Sequence, residues 1–166
     1  EYAKKRLPFA HLKTAKAQNL GYKDNFFDAV LLLEVIEHVP QRDEVKVISE
    51  AYRVLKNGGC LVLSTPYKNI FSILGDPAYF LIAHRHYSKK HLNELLQLAG
   101  FKLEEVNYNG GLSNIAYTWL LYFFKHVLRR NEPKGGLMDK WMKLDYKNKG
   151  FTEIDVRAVK VAEIDY

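Results

Sequence analysis

The sequence predicts an α/β fold, in which strands and helices alternate around a doubly wound, mostly parallel sheet. Residues 27–33 and 60–65 form two runs that are apolar on both faces, as strands in the middle of a parallel sheet are. Between them, residues 42–55 place apolar side chains at helical spacing, and Gly58 and Gly59 follow where a helix commonly ends. Strands and helices that alternate in this way form right-handed crossovers, and ligands bind at the carboxyl ends of the strands.

The later part of the chain continues this alternation. Ser88 is a typical N-cap residue, and the apolar spacing behind it predicts a helix to Ala99 that Gly100 ends. The apolar stretch Ser113–Arg130 predicts a helical insertion before the last strand. The remaining predicted strands are short apolar runs: Phe9–Thr14, Phe101–Tyr108 and Thr152–Val161.

The composition fits a single soluble domain. The chain has 166 residues, of which 48% are hydrophobic and 27% are charged. We divide it into a core over 1–108, a helical lid and basic linker over 109–149, and the last strand over 150–166. The longest mainly apolar and aromatic stretch, Ile115–Phe124 with Thr118 inside it, has ten residues, about half of what a membrane-spanning helix needs. The lone Cys60 excludes an internal disulfide, and no signal peptide opens the chain, so we expect a cytoplasmic protein.

The positive charge is concentrated in one segment. The formal net charge is +6, and residues 125–149 contain eight basic against three acidic side chains. Such a segment is either a solvated surface or a patch that attracts anionic partners. Residues 113–130 join aromatic and basic side chains, a pattern consistent with peripheral contact with the inner face of a membrane. The favoured alternative is packing on the sheet or on a dimer partner. Nucleic acid is the less favoured partner, since no aromatic RNA-binding signature accompanies the charge.

Five short motifs then stand in a fixed order: Asp24-Asn25-Phe26-Phe27-Asp28-Ala29-Val30, Glu34-Val35-Ile36-Glu37-His38-Val39, Arg53-Val54-Leu55-Lys56-Asn57-Gly58-Gly59, Ser64-Thr65-Pro66 and His84-Arg85-His86-Tyr87-Ser88. With this order and spacing, the chain resembles a class I S-adenosylmethionine-dependent methyltransferase domain, from its third strand to its seventh. The resemblance implies a Rossmann-like fold of the methyltransferase type, methyl transfer to a small-molecule substrate, and S-adenosyl-L-methionine as the cofactor.

Two departures from that family concern the cofactor. The family's Gly-rich turn has no counterpart, because Gly-x-Gly occurs nowhere in the chain, and we expect the first strands with that turn to precede the first residue. Where the family carries an acidic residue for the adenine amino group, this chain has Lys16, which only donates hydrogen bonds. The resemblance then implies that the adenine lies beside Lys16, where the backbone groups of Ala17 or the carbonyl of Gln18 contact the base, with weaker or shifted binding as the consequence. It also implies that Leu33 and Glu34 lie by the methionine part of the cofactor.

Three side chains at helical spacing are the candidates for chemistry. If a helical turn begins at Glu34, this residue shares one face with Glu37 and His38 at the carboxyl ends of the strands. Methyl transfer to a hydroxyl needs positioning and a base. We expect His38 to be that base or a proton relay, since an imidazole titrates at about 6.5. Glu37 is expected to act with it.

The same segment predicts a metal site. Its Glu-x-x-Glu-His pattern resembles the metal-binding segment of the O-methyltransferases of ubiquinone biosynthesis. It also resembles that of the enzymes that methylate the terminal ribose 2′-hydroxyl of small RNAs, which add a downstream His. His84 or His86 takes that place here, and the expected ligands are Glu34, Glu37, His38 and His84. The alternative is a hydrogen-bonded pocket wall, in which His84 and His86 brace the following helix.

The expected function is methyl transfer to an oxygen of a small, lipophilic molecule. Two apolar and aromatic segments, 67–83 and 115–128, are expected to cover its pocket. One alternative is a metal-dependent RNA ribose methyltransferase, which the Glu and His set and the basic segment would serve. The other is a non-catalytic, methyltransferase-like subunit that binds a partner through its aromatic helices, as Lys16 and the absent Gly-rich turn allow.

Overall fold

The computed structural model describes residues 5–129 and 150–161, whose strands form one four-stranded sheet. The strands are β1 (Phe27–Leu33), β2 (Leu55–Pro66), β3 (Phe101–Asn109) and β4 (Glu153–Lys160). They lie in the order β1-β2-β4-β3. β1 and β2 are parallel, whereas β4 runs antiparallel to both β2 and β3. Three strands therefore point the same way, which confirms the predicted α/β fold with a mostly parallel sheet.

The centre of the sheet is apolar. Leu61 and Leu63 on β2, together with Ile154 and Val156 on β4, are at most 1% exposed. Val156 lies opposite Leu63 across the antiparallel pair. Full burial of a side chain of this size stabilises a fold by about 1.5–3 kcal/mol. The carboxyl end of β2, where the site residues lie, is thus held by the best-packed part of the chain.

Five helices occur in the described residues: α1 (Glu44–Val54), α2 (Ile70–Gly75), α3 (Pro77–Ile82), α4 (Lys89–Leu98) and α5 (Leu112–Tyr122). The predicted start of α4 is confirmed, because Ser88 Oγ accepts a hydrogen bond from the backbone N–H of His91 at 3.2 Å. Its predicted end is confirmed too. Gly100 has φ +91, and a Cβ there would meet the Tyr52 ring at 3.1 Å, so only glycine fits this turn.

Two predicted elements need correction. Phe9–Thr14 is not a strand, and Phe9 is 87% exposed. A strand needs a neighbour for its backbone hydrogen bonds, and the described residues provide none beside this segment. The sheet of the described residues therefore starts at β1, and the predicted division into a core, a lid with basic linker and a last strand stays a prediction. The predicted helix Ser113–Arg130 is also shorter, because α5 ends at Tyr122 and a π-helical turn, Phe123–Val127, follows it.

Most of the basic segment 125–149, including Arg130, lies outside the described residues, so the predicted basic linker stays a prediction. In the ranges that the structure covers, no helix has both the length and the apolar character that crossing a membrane requires.

β1 forms one edge of the sheet in the part of the chain that the structure describes. Leu31 and Leu33 on this strand are 62% and 53% exposed. Leu33 is the last residue of β1 and lies beside Ser64 of β2. Apolar surface is therefore available at the strand end where the sequence predicts the methionine part of the cofactor.

Candidate active site

The site begins where β1 and β2 end side by side. Glu34, directly after β1, has a left-handed backbone with φ +52 that turns the chain away from the sheet. Its N–H donates to the carbonyl of Ser64 at 3.1 Å, and Ser64 Oγ donates to Glu34 Oε1 at 2.7 Å. The first predicted site residue is thus fixed by the neighbouring strand.

The loop that follows differs from the prediction of a helical face. The chain makes a single turn, in which the His38 N–H donates to the carbonyl of Val35 at 3.1 Å, and no helix begins there. Glu37 is only 4% exposed, and its Oε2 accepts a hydrogen bond from Thr65 Oγ1 at 3.0 Å. Glu34, whose backbone is left-handed, and Glu37 are therefore held by consecutive hydroxyls of β2 and not by a shared helix.

A second loop, residues 84–87, contacts the turn at residues 35–39 through the side chain of Arg85. The Arg85 guanidinium donates to the carbonyl of Ile36 at 2.7 Å and also to that of Val39. It pairs as well with the carboxylate of Glu44 on α1. The Tyr87 hydroxyl lies 3.1 Å from the Ile36 carbonyl. Arg85 thus joins the carbonyls of Ile36 and Val39 to Glu44 and helps to set the position of the turn that carries Glu37 and His38.

The two loops bring Glu37, His38 and His84 together. One ligand atom of each lies within 4.8 Å of the others, and the rings of His38 and His84 stack with centroids 4.8 Å apart. Three of the four residues predicted as metal ligands thus form one cluster. Glu34, the fourth, does not belong to this group and is hydrogen-bonded to Ser64 instead.

Two polar atoms in this cluster are unsatisfied. Glu37 Oε1 and His84 Nε2 are both buried, and neither has a hydrogen-bond partner among the residues that the structure describes. A buried polar atom without a partner costs about 1–3 kcal/mol, so it needs an explanation such as an ordered water, a catalytic role or a bound ion. One carboxylate oxygen and two imidazole nitrogens form a donor set that suits a divalent metal ion. The residues present therefore fit the metal that the sequence predicts.

Asp76 contacts the side of His84 that faces away from Nε2, and it also contacts His86. Its Oδ2 accepts hydrogen bonds from His84 Nδ1 at 2.6 Å and from His86 Nε2 at 3.0 Å. Burial alone would raise the pKa of Asp76, but these two hydrogen bonds hold it below its ordinary value. The hydrogen bond to Asp76 in turn raises the pKa of His84, against the effect of partial burial.

A cavity of about 190 Å³ adjoins the cluster. It lies between the strand ends and α5, and its lining includes Glu34, Asp76, His84, Ile115, Thr118 and Glu153. Although Glu34 has solvent access, the cavity walls partly desolvate its carboxylate. This desolvation, together with the nearby charges of Glu37 and Glu153, raises the pKa of Glu34 to about 7 against the hydrogen bond from Ser64. The cavity thus holds a carboxyl group that changes charge near neutral pH.

The residues predicted to hold the adenine lie before β1. Lys16 is exposed, and its carbonyl accepts a hydrogen bond from the N–H of Asn19 at 2.9 Å. The Gln18 side chain donates to Asp43 at the start of α1, 3.3 Å away. Contacts of Lys16, Ala17 and Gln18 with the base stay predictions. At the methionine end, Leu33 is 53% exposed and Glu34 turns the chain away from the sheet, and their contacts with the cofactor also stay predictions.

Sequence reasoning did not find Asp76 and Arg85. Asp76 stands before Pro77, the typical pattern of a helix start, and its side chain does accept from the N–H of Ala78 at 2.9 Å. That signal predicts the cap of α3 but not the contact with the two histidines. Arg85 lies inside the motif His84–Ser88, yet nothing in the spacing of that motif predicts its contact with the Ile36 carbonyl, 49 residues earlier in the chain.

The sequence itself is similar to known methyltransferases. A family model described as a methyltransferase domain matches residues 1–63. A "Probable S-adenosylmethionine-dependent methyltransferase" of Mycolicibacterium smegmatis is 31% identical over 117 residues, which are 69% of this chain and 45% of that protein. A ubiquinone/menaquinone biosynthesis C-methyltransferase of Brucella canis is 30% identical over 132 residues, 64% of this chain and 48% of the relative. The chain thus spans about half the length of these relatives.

The fold is similar to that of a solved methyltransferase. A SAM-dependent methyltransferase from Thermotoga maritima superimposes with a TM-score of 0.57 at 26% identity, over 93% of this chain and 66% of that one. By its sequence and its fold, the chain belongs to the class I S-adenosylmethionine-dependent methyltransferase domain family.

Proposed function

We propose that the full-length protein transfers a methyl group from S-adenosyl-L-methionine to an oxygen of a small, lipophilic molecule. The observation that supports this most is the pair of unsatisfied atoms, Glu37 Oε1 and His84 Nε2, in the cluster beside the cavity. A site that holds an unpaired carboxylate oxygen next to an imidazole nitrogen is suited to bind a hydroxyl and take its proton.

The proposed reaction is a single displacement. The bond between the methyl carbon and the sulfonium sulfur breaks as the new bond to the acceptor oxygen forms, and the hydroxyl proton passes to a base. His38 is the proposed base, with its ring stacked on His84 and its Nε2 lying 3.7 Å from Glu37 Oε1. Glu37 stabilises the imidazolium that results, because its carboxylate is buried beside the ring.

A divalent metal ion is the proposed second cofactor. Glu37, His38 and His84 would hold it. His38 would then be a ligand in the metal-loaded site and would act as the base only in the metal-free site. When bound, such an ion polarises the acceptor hydroxyl and lowers its pKa. Glu34, outside this group but lining the same cavity, is proposed to hydrogen-bond the acceptor or to lie against the cofactor.

The lipophilic nature of the acceptor is inferred from the helices around the cavity. An apolar groove of about 400 Å³ lies between α3 and α5, and its walls include Pro77, Phe80, Leu81, Trp119 and Phe123. The relative from Brucella canis is named for quinone biosynthesis, although for methylation at carbon. The basic side chains of Lys125 and Arg129 follow on the same stretch of chain. We therefore propose that this face contacts an anionic membrane surface from which the acceptor enters.

Calorimetric titration of S-adenosylhomocysteine into the full-length protein, with and without Mn²⁺, tests this proposal. We expect cofactor binding in both conditions and separate Mn²⁺ binding that Glu37→Ala and His38→Ala weaken by at least about tenfold. The control His11→Ala replaces an exposed histidine in the segment before β1, and it should leave the binding of the cofactor and of Mn²⁺ unchanged. If the cofactor binds but neither site variant changes turnover or Mn²⁺ affinity, the proposed chemistry is wrong. Absence of cofactor binding would instead favour a non-catalytic, partner-binding subunit.

A further inference from the structure

We infer that Asp76 is the positioning residue that fixes the tautomer of His84, so that the lone pair of His84 Nε2 is presented to Glu37 and His38. This inference deepens the proposed function, because it rests on His84 serving the same cluster. Asp76 was not among the residues predicted from the sequence. The hydrogen bonds around the short helix α3 support its role.

The backbone brings Asp76 and His84 together at the two ends of α3. Asp76 is the N-cap of this helix, and its Oδ1 accepts from the N–H of Ala78 at 2.9 Å. At the other end, Ala83 has a left-handed backbone with φ +53, which turns the chain back toward the start of the helix. The N–H of His84 then donates to the carbonyl of Ala78 at 3.2 Å. The caps at the two ends of α3 thus place the side chains of Asp76 and His84 next to each other.

The contact between the side chains decides where the imidazole carries its proton. An ionised carboxylate only accepts hydrogen bonds, so His84 Nδ1, which lies 2.6 Å from Asp76 Oδ2, must carry the hydrogen. In a neutral imidazole the other nitrogen then keeps its lone pair. That nitrogen, Nε2, is the buried atom that lacks a hydrogen-bond partner in the described ranges. Asp76 therefore leaves it ready to accept a proton or to bind an ion.

His86 and Ser72 hold Asp76 from the opposite side. His86 Nε2 lies 3.0 Å from Asp76 Oδ2, and by the same reasoning it donates to the carboxylate. His86 Nδ1 is then the acceptor for the Ser72 hydroxyl, 3.2 Å away. This proton has one alternative acceptor, the carbonyl of Thr152 at 3.1 Å. Because His86 is almost completely buried, the carboxylate cannot rotate away from His84 without breaking this second contact.

The isosteric change Asp76→Asn tests the inference. The amide keeps Oδ1 for the N–H of Ala78 but replaces the acceptor Oδ2 with an NH₂ group, which donates to His84 Nδ1. The hydrogen of His84 is then expected to move to Nε2, which blocks its lone pair. Ring ¹⁵N chemical shifts of His84 in the full-length protein, measured at a pH above its raised pKa so that the ring is neutral, should report Nδ1–H in the wild type and Nε2–H in the variant. Mn²⁺ affinity should fall by about 10- to 100-fold, as it does when outer partners of a metal ligand are removed.

Two further variants keep the test decisive. Asp76→Ser retains a good N-cap but offers His84 no carboxylate, and we expect a mixture of both tautomers. Asp28→Asn changes an exposed carboxylate that pairs with Lys56, and it should leave the ring shifts of His84 and the Mn²⁺ affinity unchanged. An Nε2–H tautomer in the wild type, or unchanged shifts in Asp76→Asn, would overturn the inference. Failure of the wild type to bind Mn²⁺ would count against the proposed metal alone, since the tautomer is measured without it.

Discussion

The hydroxyl of Ser64, near the end of β2, donates a 2.7 Å hydrogen bond to Glu34 Oε1, just past the end of β1. This bond links the carboxyl ends of the parallel strands β1 and β2, and it holds the Glu34 carboxyl group in the lining of the cavity beside them. Partial desolvation there, together with two neighbouring carboxylates, raises the pKa of Glu34 to about 7. The site thus contains a carboxyl group that folding pushes toward its neutral form.

This carboxyl group predicts a pH dependence of stability. Its pKa is about 7 in the folded chain, against an ordinary value of 4.5, so the native state binds more protons than the unfolded state between these values. The stabilisation is complete below pH 4.5 and is lost as the pH rises through 7. We expect Glu34→Gln to have a flatter profile of unfolding free energy than the wild type, measured by urea denaturation from about pH 5 to about pH 8. Glu105→Gln, on the exposed side of β3, should follow the wild type, and identical slopes for all three proteins would contradict the shift.

Arg85 gives a second prediction, about the turn that carries Glu37. Lysine keeps the charge but lacks the planar fork that contacts several carbonyls at once, so Arg85→Lys should leave some of them unpaired. We expect a loss of about 1–3 kcal/mol in the free energy of unfolding and weaker Mn²⁺ binding. Arg157→Lys disturbs an exposed ion pair with Glu104 and should cost at most about 1 kcal/mol. Equal losses in the two variants would show that Arg85 acts as an ordinary surface charge.

The strands and α4 follow from the sequence because their signals are local. The apolar run of β1 and the cap at Ser88 need only a few neighbouring residues to be recognised. Phe9–Thr14 shows the limit of such signals. Its composition suits a strand, but strand formation depends on a partner strand, which no local pattern specifies.

The site could be predicted only in part for the same reason. Spacing identifies Glu37 and His38 as a pair, yet the helix that would unite them with Glu34 does not form. The carboxylates converge because two hydroxyls of another strand hold them. The contact of Asp76 with His84 depends on the left-handed backbone of Ala83, a conformation that an alanine adopts rarely and that its sequence context does not announce.

The groove between α3 and α5 gives a third prediction, which concerns membrane contact. Phe123 is exposed in this groove, next to the basic Lys125. Burial of a phenylalanine in lipid contributes about 1.5–3 kcal/mol, so Phe123→Ser should weaken sedimentation with anionic vesicles by about tenfold or more. Leu98→Ser removes an apolar side chain from α4 that is even more exposed, 73% against 48% for Phe123, and it should have little effect. If both variants sediment like the wild type, or if neutral vesicles bind equally well, this face is not a lipid-binding surface.

Lys160, the last residue of β4, gives the fourth prediction. It is only 7% exposed, and its ammonium group donates to Asn25 Oδ1 and to the carbonyls of Tyr52 and Leu55, at 2.8–3.1 Å. Its three N–H groups therefore have three acceptors, which join the end of β4 to the junction of α1 and β2. Lys160→Met preserves the length of the side chain but leaves these acceptors without their donor.

We expect this substitution to lower the free energy of unfolding by about 1–3 kcal/mol, because the buried carbonyl of Leu55 loses the ammonium group that donates to it. Lys102→Met, on the exposed face of β3, should change it by less than about 0.5 kcal/mol. Chemical denaturation of both variants measures the difference. A small loss for Lys160→Met would mean that water reaches these carbonyls, and that β4 is held by its pairing with β2 and β3 without the help of its terminal lysine.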